Sequence, residues 1–187
     1  MPRHPILRHA PQTVIGYHGC SRVIAERVLD EQKFLPSTKD YDWLGEGAYF
    51  WEYAPYRALD WAIARCAAEG GEPAVLQATI KLGRCMNLLD IEHVPELLRT
   101  YESFAEALRD NLPRNTDRGA HYLDRFIIEA YCGVSEGETT MSYQTVRGSF
   151  AEGNPIYPGS KILTRAHTQI AVRDTSCITR VSLVEFP

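Results

Sequence analysis

The sequence predicts an α+β domain, and three observations carry that expectation. Helical periodicity dominates the first two-thirds of the chain, strand-like text gathers at both ends, and the segments do not alternate as regular βαβ units would. At 187 residues the chain is long enough for one well-buried core and cramped for two. No internal repeat, low-complexity tract or composition shift marks a linker.

The elements follow in order. Residues 1–12 carry Arg3, His4, Arg8, His9 and three prolines without the apolar run of a secretory signal. They read as a flexible arm, and residues 13–187 as a single domain. Val14, Ile15 and Tyr17 favour a strand over residues 13–18, which Gly19 ends. Ser21 is a credible N-cap, and Ile24, Ala25, Val28 and Leu29 recur at helical spacing, so a helix should run to about Gln32. A polar turn over residues 38–42 leads into the Gly45/Gly47 loop and a short aromatic strand over residues 48–51. Pro55 suits the first turn of the next helix, where its missing N–H costs nothing. Leu59, Ile63, Cys66 and Ala67 make that helix's apolar stripe, and Gly70-Gly71 end it.

Residues 74–82 alternate as a strand does, and residues 86–89 make a shorter one. Pro95 opens a third helix whose Leu97, Leu98, Tyr101, Phe104, Ala105 and Leu108 keep one face. Leu123, Phe126, Ile127 and Ala130 mark a fourth helix. Strands are then expected over residues 143–150, 169–173 and 178–186. Between the first two of these, residues 151–166 read as a long loop over a site, since structureless loops of that length are usually functional or disordered.

Composition narrows the function classes. Apolar residues make up 44 % and charged residues 24 %, as in ordinary globular domains, and no stretch approaches the roughly 18 apolar residues of a membrane span. The five cysteines (Cys20, Cys66, Cys85, Cys132, Cys177) are odd in number, scattered and never spaced as C-x-x-C. A reduced, cytoplasmic setting with buried thiols and no metal site follows as the expectation. The net charge of −4 argues against a dedicated nucleic-acid coat. After Met141, however, five cationic residues (Arg147, Lys161, Arg165, Arg173, Arg180) stand against three acids (Glu152, Asp174, Glu185). Such a locally basic face suits an anionic partner.

Three short segments stand out in fixed order: Tyr17-His18-Gly19, then Leu44-Gly45-Glu46-Gly47-Ala48-Tyr49-Phe50, then His167-Thr168-Gln169-Ile170-Ala171-Val172-Arg173. None is a chemical signature alone. Together they resemble the framework with which ADP-ribosyltransferases of the diphtheria-toxin and poly(ADP-ribose) polymerase type hold NAD. The resemblance spans most of the chain but rests on about ten residues. It implies a split β-sandwich of two small, mostly antiparallel sheets with flanking helices, and NAD as co-substrate in the cleft. In similar enzymes the histidine bonds the adenosine-side ribose, which assigns that role to His18. The next glycine grips the nicotinamide carboxamide through its main chain, which falls to Gly19. The tyrosine stacks on the nicotinamide ring, which falls to Tyr49. A second aromatic about a dozen residues on covers the other ring face; Trp61 is nearest, with Tyr53 and Tyr56 as substitutes.

Gln169 stands where the family has a glutamate. Glutamine donates and accepts hydrogen bonds but is no base near neutral pH. Polymer formation on hydroxyls is therefore not expected. Transfer of one ADP-ribose to an acceptor that needs little help is: a phosphate, carboxylate, amide or nucleobase nitrogen. Glu152 or Glu129 could supply a base from elsewhere. Residues 145–153 resemble a stretch in bacterial ADP-ribosyltransferase-like proteins of toxin or anti-phage systems. That likeness makes Arg147 and Glu152 substrate-side candidates and a cognate antitoxin or regulator a further partner.

The implied function is mono-ADP-ribosyl transfer from NAD to a protein or nucleic acid, with His18, Tyr49 and Gln169 at the reacting centre. Cleaving the glycosidic bond needs no strong nucleophile from the enzyme, because the leaving group is a cationic pyridinium. Positioning and electrostatic preorganisation supply most of the gain. The rival expectations are a non-catalytic NAD or ADP-ribose binding module, an NAD glycohydrolase, and an interaction domain unrelated to NAD. Other patterns are weaker. Gly45-x-Gly47 lacks the third glycine of a dinucleotide fingerprint. Cys20, two residues from His18, suggests a thiol nucleophile only if the strand runs on through Gly19. Glu129 and Glu152 have no support as a sugar-hydrolysing pair beyond being acids, and His121 and His167 read as structural.

Overall fold

The computed structural model describes residues 12–40, 42–116, 120–138 and 142–187. Of the expected arm, only Gln12 falls among them; its carbonyl accepts a hydrogen bond from Leu82 N. The α+β class stands. In order, the elements are β1 (Thr13–Ser21), α1 (Arg22–Glu31), β2 (Ala48–Glu52), α2 (Pro55–Glu69), β3 (Pro73–Lys81), β4 (Cys85–Asn87), α3 (Val94–Leu108), α4 (Tyr122–Glu138), β5 (Thr145–Phe150), β6 (His167–Val172) and β7 (Ile178–Leu183). Sequence punctuation explains several boundaries. Gln32 closes α1 in the left-handed conformation, Pro55 occupies the first turn of α2, and the Gly70 N–H returns to Cys66 O.

Among the described residues seven strands share one sheet in the order β4-β5-β6-β2-β1-β3-β7, antiparallel throughout except for the β4–β5 pair. The two sheets implied by the resemblance are thus joined. The joint is narrow: β1 and β2 pair only at Gly16↔Glu52 and Tyr17↔Trp51, whereas β1 and β3 pair along their whole length from Thr13↔Lys81 to Ser21↔Pro73. Past Tyr17 the two strands separate.

Both faces are covered. On one, Ala25 and Val28 of α1 and Phe34 pack with Val14, Cys20, Phe50, Leu76, Ile80 and Ile170. On the other, Ala58 of α2 packs with Trp51 and Val75 over one half of the sheet. Ile128 and Cys132 of α4 pack with Met86, Val146 and Ala171 over the other half. Strand alternation sorts these sets, since Phe50 and Trp51 are consecutive and point to opposite faces.

β1 does not end at Gly19; its ladder continues through Gly19↔Val75 and Cys20↔Ala74. His18 and Cys20 therefore do share a face, yet the thiol is no nucleophile. Cys20 is buried in the core, and burial pushes its pKa up to about 11.

Candidate functional site

The site lies where β1 and β2 part. A cavity of about 690 Å³ opens there, within the range of small-molecule sites. His18, Gly19, Tyr49, Trp61, Glu152 and Gln169 all line it. Every NAD-side residue expected from the sequence is thus in one wall, although β1, β2, α2, β6 and the loop after β5 contribute them.

His18 takes the place of a ladder rung. Its Nδ1 lies 2.8 Å from the Tyr49 carbonyl, which can only accept, so Nδ1 carries the hydrogen and Nε2 is left as an acceptor. Phe34 and Phe50 hold the ring, with centroids 5.4 and 5.7 Å away. Burial pulls the His18 pKa below the ordinary histidine value, Arg65 adds to that, and the bond to Tyr49 O opposes it. The imidazole is neutral at neutral pH.

His167 behaves alike: burial lowers it first, against its bond to Arg165 O and the nearby Glu152. A folded-state pKa below the unfolded one means that the unfolded chain binds more protons. The stability held by these two rings is complete above about pH 6.5 and is lost as pH falls through that value toward the folded pKa. We expect the thermal midpoint to drop between about pH 7.5 and 5.5, and His18→Gln to show a shallower slope over the same series. Parallel slopes would remove His18 as a source.

Tyr49 is a fixed platform. Its hydroxyl donates to Gly45 O at 2.7 Å and accepts from Leu44 N at 3.0 Å, so the ring is pinned to the glycine loop. Gly45 has φ +83°, and a Cβ there would fall 2.2 Å from Glu129 Oε1. That explains the glycine without a ligand. Gly19 also has a packing reason: a Cβ there would meet Ala58 O of α2 at 2.1 Å. Gln169 pairs with Trp51 across β2 and with Gly148 across β5, so its carboxamide stands between an indole and a bare backbone. Trp61 is 43 % exposed, with its ring 5.8 Å from that of Trp51. Tyr53 and Tyr56 are exposed and lie outside the cavity wall, the latter against Phe186.

The substrate-side expectations divide. Glu152 is in the wall, but Arg57 Nη2 holds it at 2.8 Å. Arg147 is not in the wall. Its guanidinium makes a two-pronged bond to Glu52 at 2.6 and 2.7 Å, and the Glu52 side chain is only 4 % exposed. Glu129, the other proposed base, is clasped by Arg173 at 2.7 and 3.1 Å. These arginines and acids sit opposite one another because each neutralises a partly buried charge.

Sequence reasoning missed several lining residues, chiefly Trp51, Arg57, Arg65, Lys39 and Asp42, while Arg165 entered only as one member of the basic C-terminal third. A signal existed for part of them: Arg57, Trp61 and Arg65 are spaced by four and so share one face of α2. With Lys39 and Arg165 they make the wall cationic, against Asp42 and Glu152.

No protein-family model matches the chain. An uncharacterized protein of Methanocaldococcus jannaschii is 42 % identical over 45 residues, a stretch that takes in 24 % of this chain and 21 % of that protein's length. Among solved structures, the crystal structure of an anti-CRISPR protein aligns with a TM-score of 0.39 and 12 % identity, over 92 % of this chain and 96 % of that one.

Proposed function

We propose that the chain is a mono-ADP-ribosyltransferase that moves ADP-ribose from NAD to a macromolecular acceptor and releases nicotinamide. One observation carries the reading: His18, Tyr49 and Gln169, far apart in sequence, line a single cavity. In this reading His18 Nε2 accepts from the adenosine-side ribose, and the Gly19 main chain holds the nicotinamide carboxamide. Tyr49 presents a ring that cannot swing away, and Trp61 offers a second aromatic face. Gln169 orients the other ribose through its carboxamide. With these groups held beforehand, the pyridinium leaves without covalent help from the protein.

NAD labelled in its adenylate part, added with the protein to a cell extract, tests the proposal. Label should become attached to macromolecules as free nicotinamide accumulates, and digestion with protease or nuclease then reports the acceptor class. NAD that persists unchanged would overturn it. Gln169→Glu supplies the missing carboxylate next to the ribose. It should raise NAD hydrolysis by roughly 10²-fold, the lower end of what a positioned base contributes. Equal turnover of both forms would place Gln169 away from the reacting centre.

A second reading, a binding module for NAD or ADP-ribose, is favoured by the same glutamine and by the engagement of Glu152 with Arg57. It requires measurable NAD affinity with no nicotinamide release in any extract.

A further inference from the structure

Resting on the transferase reading, we propose that Asp42 is the general base of the reaction, its Oδ2 taking the proton of the acceptor as that acceptor attacks C1′ of the nicotinamide ribose. Among the described residues two acids line the cavity, Asp42 and Glu152, and Arg57 holds the second at 2.8 Å. Glu129 is outside the wall and clasped by Arg173. Residue 169 is an amide, and His18 Nε2 is given to the adenosine-side ribose in this reading. Asp42 keeps Oδ2 buried and without a hydrogen-bond partner. Five buried side-chain atoms among the described residues are orphaned in this way, and three belong to the wall: Asp42 Oδ2, Trp51 Nε1 and Arg57 Nε. The last two are donors, so a ligand's proton has Asp42 to go to. Buried polar atoms are nearly always paired, and an orphan in a cavity wall needs a cause; catalysis is one.

The carboxylate is also mounted as a base should be. The Ser37 hydroxyl donates to its other oxygen, and Ser37 is tied to Gly47 by backbone bonds of 2.8 and 3.2 Å. Asp42 O accepts from Gly45 N at 3.2 Å, and Gly45 O accepts from the Tyr49 hydroxyl at 2.7 Å. The acid thus sits on the same turn that pins the ring assigned to nicotinamide. One oxygen anchored by a third group, with the other left open, is how an oriented base is held. Burial raises the Asp42 pKa above its ordinary value; the Ser37 bond, Lys39 and Arg125 oppose this, and Asp40 adds to it. A desolvated carboxylate holds a proton more strongly than an exposed one. The Tyr49 phenol is itself pushed up, by burial first and by the Asp42 charge second, so it stays protonated and does not compete as a base.

The step balances without a further reagent. The acceptor presents an O–H or N–H, and water is the simplest case. Its heavy atom forms the bond to C1′ while its proton passes to Asp42 Oδ2. The C1′–N bond breaks, its electron pair goes to the pyridinium nitrogen, and neutral nicotinamide departs. The pyridinium cation and the carboxylate anion are both neutral afterwards. Asp42 returns its proton to water once the products have left.

The test follows nicotinamide release from NAD by the protein in a cell extract, above that of the extract alone, with NAD affinity measured by calorimetry. Asp42→Asn should lower turnover by about 10²-fold or more, within the range that a positioned base contributes, and leave NAD affinity unchanged. Asp42→Glu should keep part of the rate. Formate added to Asp42→Ala should restore part of it, which it would not do for an acid that only supports the turn. The wild-type rate should fall as pH drops through the Asp42 pKa. Ser37→Ala removes a bond that holds this pKa down, so it should move that fall to higher pH. Asp42→Asn turnover equal to the wild type, or a loss matched by weaker NAD binding and not relieved by formate, overturns the proposal and leaves the transferase reading intact. Should the Asp42 variants not fold, an acid limb unmoved in Ser37→Ala overturns it as well. NAD binding with no nicotinamide released by the wild type in any extract overturns both this role and the transferase reading.

Discussion

Replacing Arg147 with alanine should cost about 3–5 kcal/mol of folding stability, the usual penalty for orphaning a buried charge. Arg147 on β5 and Glu52 on β2 are not neighbours; β6 lies between them in the sheet. Their side chains meet across β6 on the same face, with Arg147 directly opposite Ile170. The carboxylate has both oxygens engaged and is 4 % exposed, so water cannot replace the guanidinium. Urea unfolding reads the loss directly. The double variant Glu52→Leu with Arg147→Met separates loss of a charge partner from loss of packing. It should match the wild type or exceed it by up to about 4 kcal/mol, because apolar replacements of a buried pair are often neutral or stabilising. A loss below roughly 1 kcal/mol in Arg147→Ala would mean that Glu52 reaches solvent. It would also reopen the substrate-side role that the sequence suggested for Arg147.

That assignment shows where sequence reasoning stops. Arg147 and Glu52 are 95 positions apart, and nothing local says that they face one another. What was legible was periodic. The helical stripes, Pro55, Gly70 and the β-branched runs each act over a few residues, and the elements they imply are all present. Part of the cavity's lining was also legible, since His18, Gly19, Gly47, Ala48, Tyr49 and Gln169 come from the three short segments. Three things were not. The sheet is continuous because two backbone pairs, Gly16↔Glu52 and Tyr17↔Trp51, bridge its halves, and backbone pairing leaves no mark on side-chain type. The strand through Gly19 depends on β3 alongside it, a tertiary effect that overrides glycine's weak strand preference. The cationic wall is assembled from α2 and a loop about 100 residues later. Helical spacing predicts the first contributor and says nothing of the second.

Gly19→Ala should lower the thermal midpoint and abolish any stabilisation by NAD. Its φ lies outside the left-handed region, so the backbone itself would accept alanine. At such a position alanine ordinarily stabilises by about 0.4–1 kcal/mol, through the unfolded chain. Sterics reverse the sign here. The new Cβ would fall 2.1 Å from Ala58 O, 3.0 Å from Ala58 C and 3.3 Å from Ala62 N. All three are main-chain atoms of α2 and cannot swing aside. Relief requires the helix to lift off β1, at an overpacking cost of about 1–3 kcal/mol. The same shift carries Arg57, Trp61 and Arg65 with it, so the cavity widens on the side that would hold the ligand. Gly133→Ala is the matched control. That glycine lies within α4, and a Cβ there meets nothing within 4 Å. Its replacement should stabilise by roughly 0.5–1 kcal/mol, the helix preference for alanine over glycine. The two variants make the same chemical change and should move the midpoint in opposite directions. A Gly19→Ala protein that melts at or above the wild-type temperature would show that α2 does not rest on β1 as described. The wall shared by His18 and Trp61 would fall with it.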